Sequence, residues 1–262
     1  MPDVIYHRVV ICREETGIAL ENRRLDGIDI RYLGGGTLLI QTRYLTVLLL
    51  AACICQARAQ PLFTASETRP ADAVVLFDGK DLSGWAKCGS DEAPGWKVEN
   101  GYMQVQGGNI CTKQKFTDCQ LHVEFWLPLM ANAQGQARAN SGVYLQGRYE
   151  IQVLDSYGLK SQGGDCGAIY GVAVPLVNAC RPPEQWQTYD IIFYTTKFDG
   201  KGNKTSDARI TVLQNGVLIH NNIEVPGPTA AWANSDIKET GPIMLQDHGC
   251  AVRYRNVWIR PL

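Results

Sequence analysis

From Ala73 onward the chain alternates apolar and polar positions at a period of two, in short runs broken by turn residues. The runs 74–77, 102–106, 120–127, 142–146, 149–154, 188–194, 208–214, 217–224, 242–247 and 252–260 read as strands. Between them stand glycine-containing pairs such as Asp78-Gly79, Asn100-Gly101, Gly107-Gly108, Asp199-Gly200 and Asn215-Gly216. No long apolar pattern has the helical period, so the expected fold is all-β, with two antiparallel sheets packed as a sandwich. Asn215-Gly216, flanked by 212–214 and 217–219, has the residues of a type I′ hairpin turn. A second hairpin is expected to turn at Gly147-Arg148 as type II′. The long segment 156–187, with Pro175 and Pro182-Pro183, is expected to fold over the sheet as a covering loop.

Alternation divides each strand into two faces. Leu121, Val123 and Phe125 oppose His122, Glu124 and Trp126. Val143 and Leu145 oppose Tyr144 and Gln146. Ile151 and Val153 oppose Glu150 and Gln152, and Ile243 and Leu245 oppose Gln246 and His248. The non-core set therefore gathers Glu124, Tyr144, Gln146, Glu150, Gln152, Gln246 and His248, which are expected to converge on one concave face beneath the 156–187 loop. Amides and carboxylates bind sugar hydroxyls in pairs, and Tyr144 and Trp126 offer flat apolar surfaces to a pyranose ring. The plain alternative is an ordinary solvated face.

Ahead of this region, residues 44–55 are almost wholly apolar and are followed by Ala57-Arg58-Ala59, which reads as a secretory leader over 43–59. Two processing sites compete: a small-x-small site before Gln60, or a lipobox-like Leu50-Ala51-Ala52-Cys53 with Cys53 lipidated, the one route by which a membrane becomes a partner. The expected location is thus periplasmic or secreted. Residues 1–42 mix charges without a sustained period and read as an N-terminal extension or a start assigned too early. Six cysteines follow the leader, an even number in an oxidising compartment, and Cys166 with Cys180 is the first expected bridge.

The 262 residues are 45% hydrophobic, enough for one large core, and the net charge is -1 with Lys and Arg dispersed, so no nucleic-acid surface is expected. No G-x-S-x-G, Walker, dinucleotide or H-E-x-x-H motif occurs, which removes the commonest esterase, nucleotide and zinc-protease readings. The sequence indicates no cofactor and leaves a divalent-metal requirement open.

Six ordered segments carry a resemblance: 76–85 (LFDGKDLSGW), 140–157 (NSGVYLQGRYEIQVLDSY), 167–171 (GAIYG), 175–179 (PLVNA), 186–190 (WQTYD) and 241–249 (GPIMLQDHG). Together they make 73–262 resemble the 3-keto-disaccharide hydrolase family, whose members are concanavalin A-like lectin/glucanase sandwiches, two-sheet antiparallel jelly rolls. The resemblance implies a hydrolase or lyase acting on small carbohydrate substrates, glycosides already oxidised at C3. A C3 ketone acidifies the C2 proton, so a base can remove it and expel the C1 substituent, after which water adds back. Glu150 and His248 are the candidate proton-transfer pair, with Tyr144, Gln152 and Gln246 as donors or orienters. Lys113, Asp155, Asn178, Arg181 and Asp247 lie in or beside the matching segments and are expected to complete the rim. Two alternatives remain. One is a conventional glycosidase using Glu124 and Glu150 as its carboxylate pair. The other is a non-catalytic carbohydrate-binding module.

Overall fold

The computed structural model describes residues 69–262, apart from 234 and 239, together with the backbone of three short strands nearer the N-terminus. The chain divides into two compact units, Met1–Thr64 and Ala65–Leu262. In the first, β1 (Arg8–Val9), β2 (Ile28–Leu33) and β3 (Thr37–Thr42) form an antiparallel sheet in the order β1-β3-β2. The expected leader at 43–59, Cys53 included, lies outside the described residues.

The second unit runs β4 (Val74–Phe77), β5 (Trp85–Lys87), β6 (Lys97–Glu99), β7 (Tyr102–Gln104), β8 (Ile110–Phe116), β9 (Cys119–Trp126), β10 (Ser141–Leu145), β11 (Tyr149–Val153), β12 (Trp186–Tyr194), β13 (Lys197–Phe198), β14 (Lys204–Ser206), β15 (Ala208–Gln214), β16 (Val217–Val225), β17 (Gly241–Leu245) and β18 (Arg253–Pro261). Five of these make one sheet in the order β11-β10-β17-β8-β5. Eight make the other, β16-β15-β12-β9-β18-β7-β6 with β4 beside β18, while β13 and β14 pair separately. The result is an all-β antiparallel sandwich, as the alternation predicts. Among the described residues the one helical element is a single 3₁₀ turn, Gly135–Ala137.

The core lies between the sheets. Leu121, Val123, Phe125, Ile191 and Phe193 from the eight-stranded sheet meet Val143, Leu145, Ile151 and Val153 from the five-stranded one, all fully buried. Each fully buried aliphatic or aromatic side chain contributes about 1.5–3 kcal/mol relative to exposure, so this seam dominates the fold's stability. The alternation is shifted in β18. There Arg255 pairs with Glu124 and Trp258 with His122, three residues advancing against two, with Asn256 at φ 45°. This bulge keeps Tyr254, Val257 and Ile259 all in the core although they do not share a parity.

Asn215 and Gly216 adopt φ 53° and 80°, the expected type I′ turn. The other hairpin turns one residue earlier than expected. Gln146 and Gly147 take φ 53° and 64°, and the Arg148 N–H donates to the Leu145 carbonyl at 3.0 Å. It too is a type I′ turn, and Gln146 thereby leaves the strand alternation.

The cysteine expectation is corrected. Among the described residues the disulfide joins Cys88 to Cys111, with α carbons 5.0 Å apart, while Cys119, Cys166, Cys180 and Cys250 are buried thiols. Cys166 and Cys180 do lie side by side, but the Cys166 sulfur meets the Tyr189 hydroxyl at 3.2 Å and the Gln214 amide at 3.3 Å, and Cys180 points toward the Leu154 carbonyl. Each thiol has a local polar partner in the core.

Candidate active site

Strand register sets one row of side chains across the outer face of the five-stranded sheet. Glu150 on β11 pairs with Tyr144 on β10, Tyr144 with Met244 on β17, Met244 with Cys111 on β8, and Cys111 with Ala86 on β5. The row faces away from the main core, yet Tyr144 and Met244 are fully buried and form a small cluster with Cys111 and its partner Cys88. In the adjacent row Gln152 stands opposite Gly142.

Glu150 is the chemically distinctive member. It is 3% exposed, and burial pushes its carboxyl up to about 7, partly opposed by a hydrogen bond from the Tyr144 phenol. Burial, with the Glu150 charge close by, drives the Tyr144 phenol far above its ordinary value, so it stays protonated and donates to Glu150. The Gln246 amide in turn donates to the Tyr144 oxygen at 3.0 Å. A Gln246–Tyr144–Glu150 relay results.

The relay depends on a missing side chain. A β carbon at Gly142 would sit 2.6 Å from Glu150 Oε1 and 2.7 Å from a Tyr144 ring carbon, so only glycine lets the carboxylate and phenol lie over that strand. Gln152 extends the polar face: its amide donates to Gln136 Oε1 at 2.9 Å and to the Gly164 carbonyl at 3.2 Å. Gln136, missed by the sequence reading because it lies outside any alternating run, also accepts from the Asn140 amide at 3.0 Å.

The loop 156–187 does not roof the whole face. Its 167–170 stretch pairs along the free edge of β11, with the Gly167 N–H donating to the Gln152 carbonyl and the Tyr170 N–H to the Glu150 carbonyl. Gly164 reaches over to Gln152.

Other expected members fall elsewhere. Gln146, turned aside by its positive φ, points into the end of the sandwich and binds the Phe116 carbonyl, Arg148 and Thr195. His248 is exposed in the turn two residues beyond Gln246, at the solvent-facing rim. Asp247 accepts from the Gly108 and Gly249 N–H groups and so holds that turn. Asp155 pairs with Arg138 at 2.8 Å, Asn178 donates to the Ser156 and Leu159 carbonyls, and Arg181 donates to the Trp186 carbonyl. These four brace loops. Lys113 is exposed on β8.

The largest correction concerns Glu124 and Trp126. Both lie on β9, on the outer face of the eight-stranded sheet, because their neighbours Val123 and Phe125 fill the shared core. Parity is blind to which sheet a strand joins. Burial would raise the Glu124 pKa, but hydrogen bonds from His122, Asn256 and Arg255 outweigh it and hold the carboxyl at about 2. His122 is lowered by burial yet raised overall to about 9 by Asp190, 2.7 Å from its Nδ1, and by Glu124. Arg255 lies over Trp186, and Arg253 over both Tyr102 and Trp126. Glu124 therefore forms no carboxylate pair with Glu150.

Residues 72–260 match the 3-keto-alpha-glucoside-1,2-lyase-like domain. The chain belongs to this family. Among solved structures it is similar to a "putative glycosyl hydrolase" from Parabacteroides distasonis ATCC 8503, with 42% identity over 74% of this chain and 86% of that one, at a TM-score of 0.68. Two more proteins of the same description from that organism, at 23% and 21% identity and a TM-score of 0.52 each, cover 72% of this chain and 94% and 99% of theirs, and share the fold. No curated protein sequence matches the chain.

Within the lyase-like domain, two open hollows lie on the β5–β8 side of the same sheet. One, of about 480 Å³, is lined by Trp85, Trp96 and Lys113 among others. The second, of about 400 Å³, runs past Cys111, Lys113 and Lys115 to Pro242. Glu150 lines neither hollow and stands three strands away from Cys111 in the same row. The perturbed carboxyl, rather than either hollow, marks where chemistry is available. Among the described residues no group of three or more His, Cys, Asp and Glu is placed to hold a metal ion.

Proposed function

We propose that this chain cleaves glycosides oxidised at C3 of the sugar, by elimination followed by hydration, with Glu150 as the proton-transfer carboxyl. The observation that carries this reading is a single buried carboxyl at about 7 beside a protonated phenol, on the outer face of a sheet in a 3-keto-alpha-glucoside-1,2-lyase-like domain. A base at that value is half ionised at neutral pH and strong enough to take a proton next to a ketone. Ionised Glu150 removes the C2 proton. The C2–H electron pair moves into a C2–C3 enolate, whose oxygen is met by the amide N–H of Gln246 that Tyr144 does not use. Collapse of the enolate forms the C1–C2 double bond and breaks the C1–O bond, and the departing oxygen takes a proton from protonated Glu150 or from His248 at the rim. Water then adds across C1–C2 to give the free 3-keto sugar.

Because Glu150 is so little exposed, entry of the sugar requires the 163–170 cover to yield. Matched 3-keto and unoxidised glucosides, followed by product analysis, test the reading. Release of the leaving group from the keto compound alone is the expected result. Equal cleavage of both would sink the elimination route, and binding without cleavage would leave a carbohydrate-binding module.

A further inference from the structure

The row from Glu150 to Ala86 has one closed end and one open end. At β11 the 167–170 stretch occupies the strand edge. At β8 the row opens into the 400 Å³ cleft, since Cys111 both lines that cleft and pairs with Met244. Interstrand spacings of about 4.8 Å put Cys111 about 10 Å from Tyr144 along the row. Tyr144 and Met244 are fully buried, so a sugar admitted at Tyr144 and Glu150 can extend its C1 substituent over Met244 toward the cleft only when the cover of the row yields along that length as well.

The cleft is cationic. Lys87, Lys113 and Lys115 line it against one carboxylate, Asp91. Lys87 is tied to Glu92 at 3.7 Å, whereas among the described residues neither Lys113 nor Lys115 makes an ion pair. Lys115 pairs with Pro242, two residues from Met244 on β17, so it shares the face of the row. β8 is also an interior strand, between β17 and β5, so these lysines are not guarding a free sheet edge.

Resting on the reading above for the position of the sugar, we infer that this cleft is the leaving-group subsite and that Lys113 and Lys115 select a C1 substituent bearing an anion. Two ammonium groups on one wall favour a carboxylate or sulfonate by charge, without the paired geometry an arginine would impose.

Binding decides the inference separately from turnover. Unoxidised phenyl, 4-carboxyphenyl and 4-sulfophenyl glucosides are titrated into the chain by calorimetry. Both anions are expected to bind about five- to tenfold more tightly than the neutral compound at low salt, with the preference shrinking at high salt. K113Q/K115Q is expected to remove the preference. Both side chains are exposed, so the variant's unfolding midpoint is expected to match the wild type and verifies that it folds. Equal binding of all three glucosides, a preference that survives K113Q/K115Q, or one confined to a single anion would overturn the inference. If the anion preference is present but no 3-keto-glucoside is cleaved, the elimination reading fails and the subsite stands.

Discussion

Glu150 and Glu124 are the same side chain on the outer faces of the two sheets, and they end at opposite extremes. Glu150 is desolvated with one phenol donor and is pushed up to about 7, whereas Glu124 receives donors from Asn256 and Arg255, lies beside His122, and is held at about 2. The difference is in partners rather than in burial. A carboxyl that the fold has saturated contributes to stability, and one left short of donors retains a proton to give or take.

The comparison is tested most sharply at Glu150. E150Q is expected to lower turnover of a 3-keto-glucoside about 10²–10⁴-fold. The raised pKa also has a sign: it stabilises the fold below the ordinary carboxylate value near 4.5, and that contribution is lost as pH rises through about 7. E150Q is therefore expected to be more stable than wild type at pH 8 by about 3 kcal/mol, with the gap closing at pH 5, as read by urea unfolding. Lower stability of E150Q at pH 8 would refute this account of the site.

Glu124 is expected to behave in reverse. Its depressed pKa gives stability that is present above about 4.5 and lost as pH falls through about 2. E124Q is expected to cost about 2–3 kcal/mol at neutral pH and to leave turnover of a 3-keto-glucoside within about twofold of wild type. A large loss of turnover with stability intact would mean that the two faces are not functionally distinct. G142A comes next, at about 1–3 kcal/mol from overpacking, with turnover reduced because the Glu150 carboxylate must move aside. The smallest effect is expected from Y144F. Losing the phenol donor removes what holds the Glu150 pKa down, so the rising limb of the pH–rate profile shifts upward from about 7. A downward shift would exclude the proposed relay.

Much of the sandwich was legible because alternation is a local signal. The strand at 208–214 and the Asn215-Gly216 turn stand where the pattern puts them. Tyr144, Glu150, Gln152 and Gln246 share a face because their strands are neighbours in one sheet. Glu124 and Trp126 have the same parity but sit on β9, and sheet membership is a long-range property that no window of sequence contains. β8 escaped notice since Lys113, Gln114 and Lys115 are consecutively exposed, where the register with β17 shifts and the period of two disappears. Gln146 was misplaced by one residue of turn register, and the same uncertainty gave the wrong turn type. Gly142 gave no signal either: its importance lies in atoms of other residues that occupy the space a methyl would fill.

The Cys88–Cys111 bridge has a practical consequence for work at the bench. It ties the end of β5 to β8 across a separation of 23 residues, and its Cys111 lines the hollow next to the Glu150 row. Protein produced in a reducing cytosol, or assayed in buffers containing dithiothreitol, loses this tie and about 3 kcal/mol of loop-closure stabilisation. The other four cysteines of the described domain are buried, so brief alkylation of the folded chain followed by peptide mapping is expected, within that domain, to report on this one bridge. A preparation should be titrated for thiols before its kinetics are compared with those of any variant.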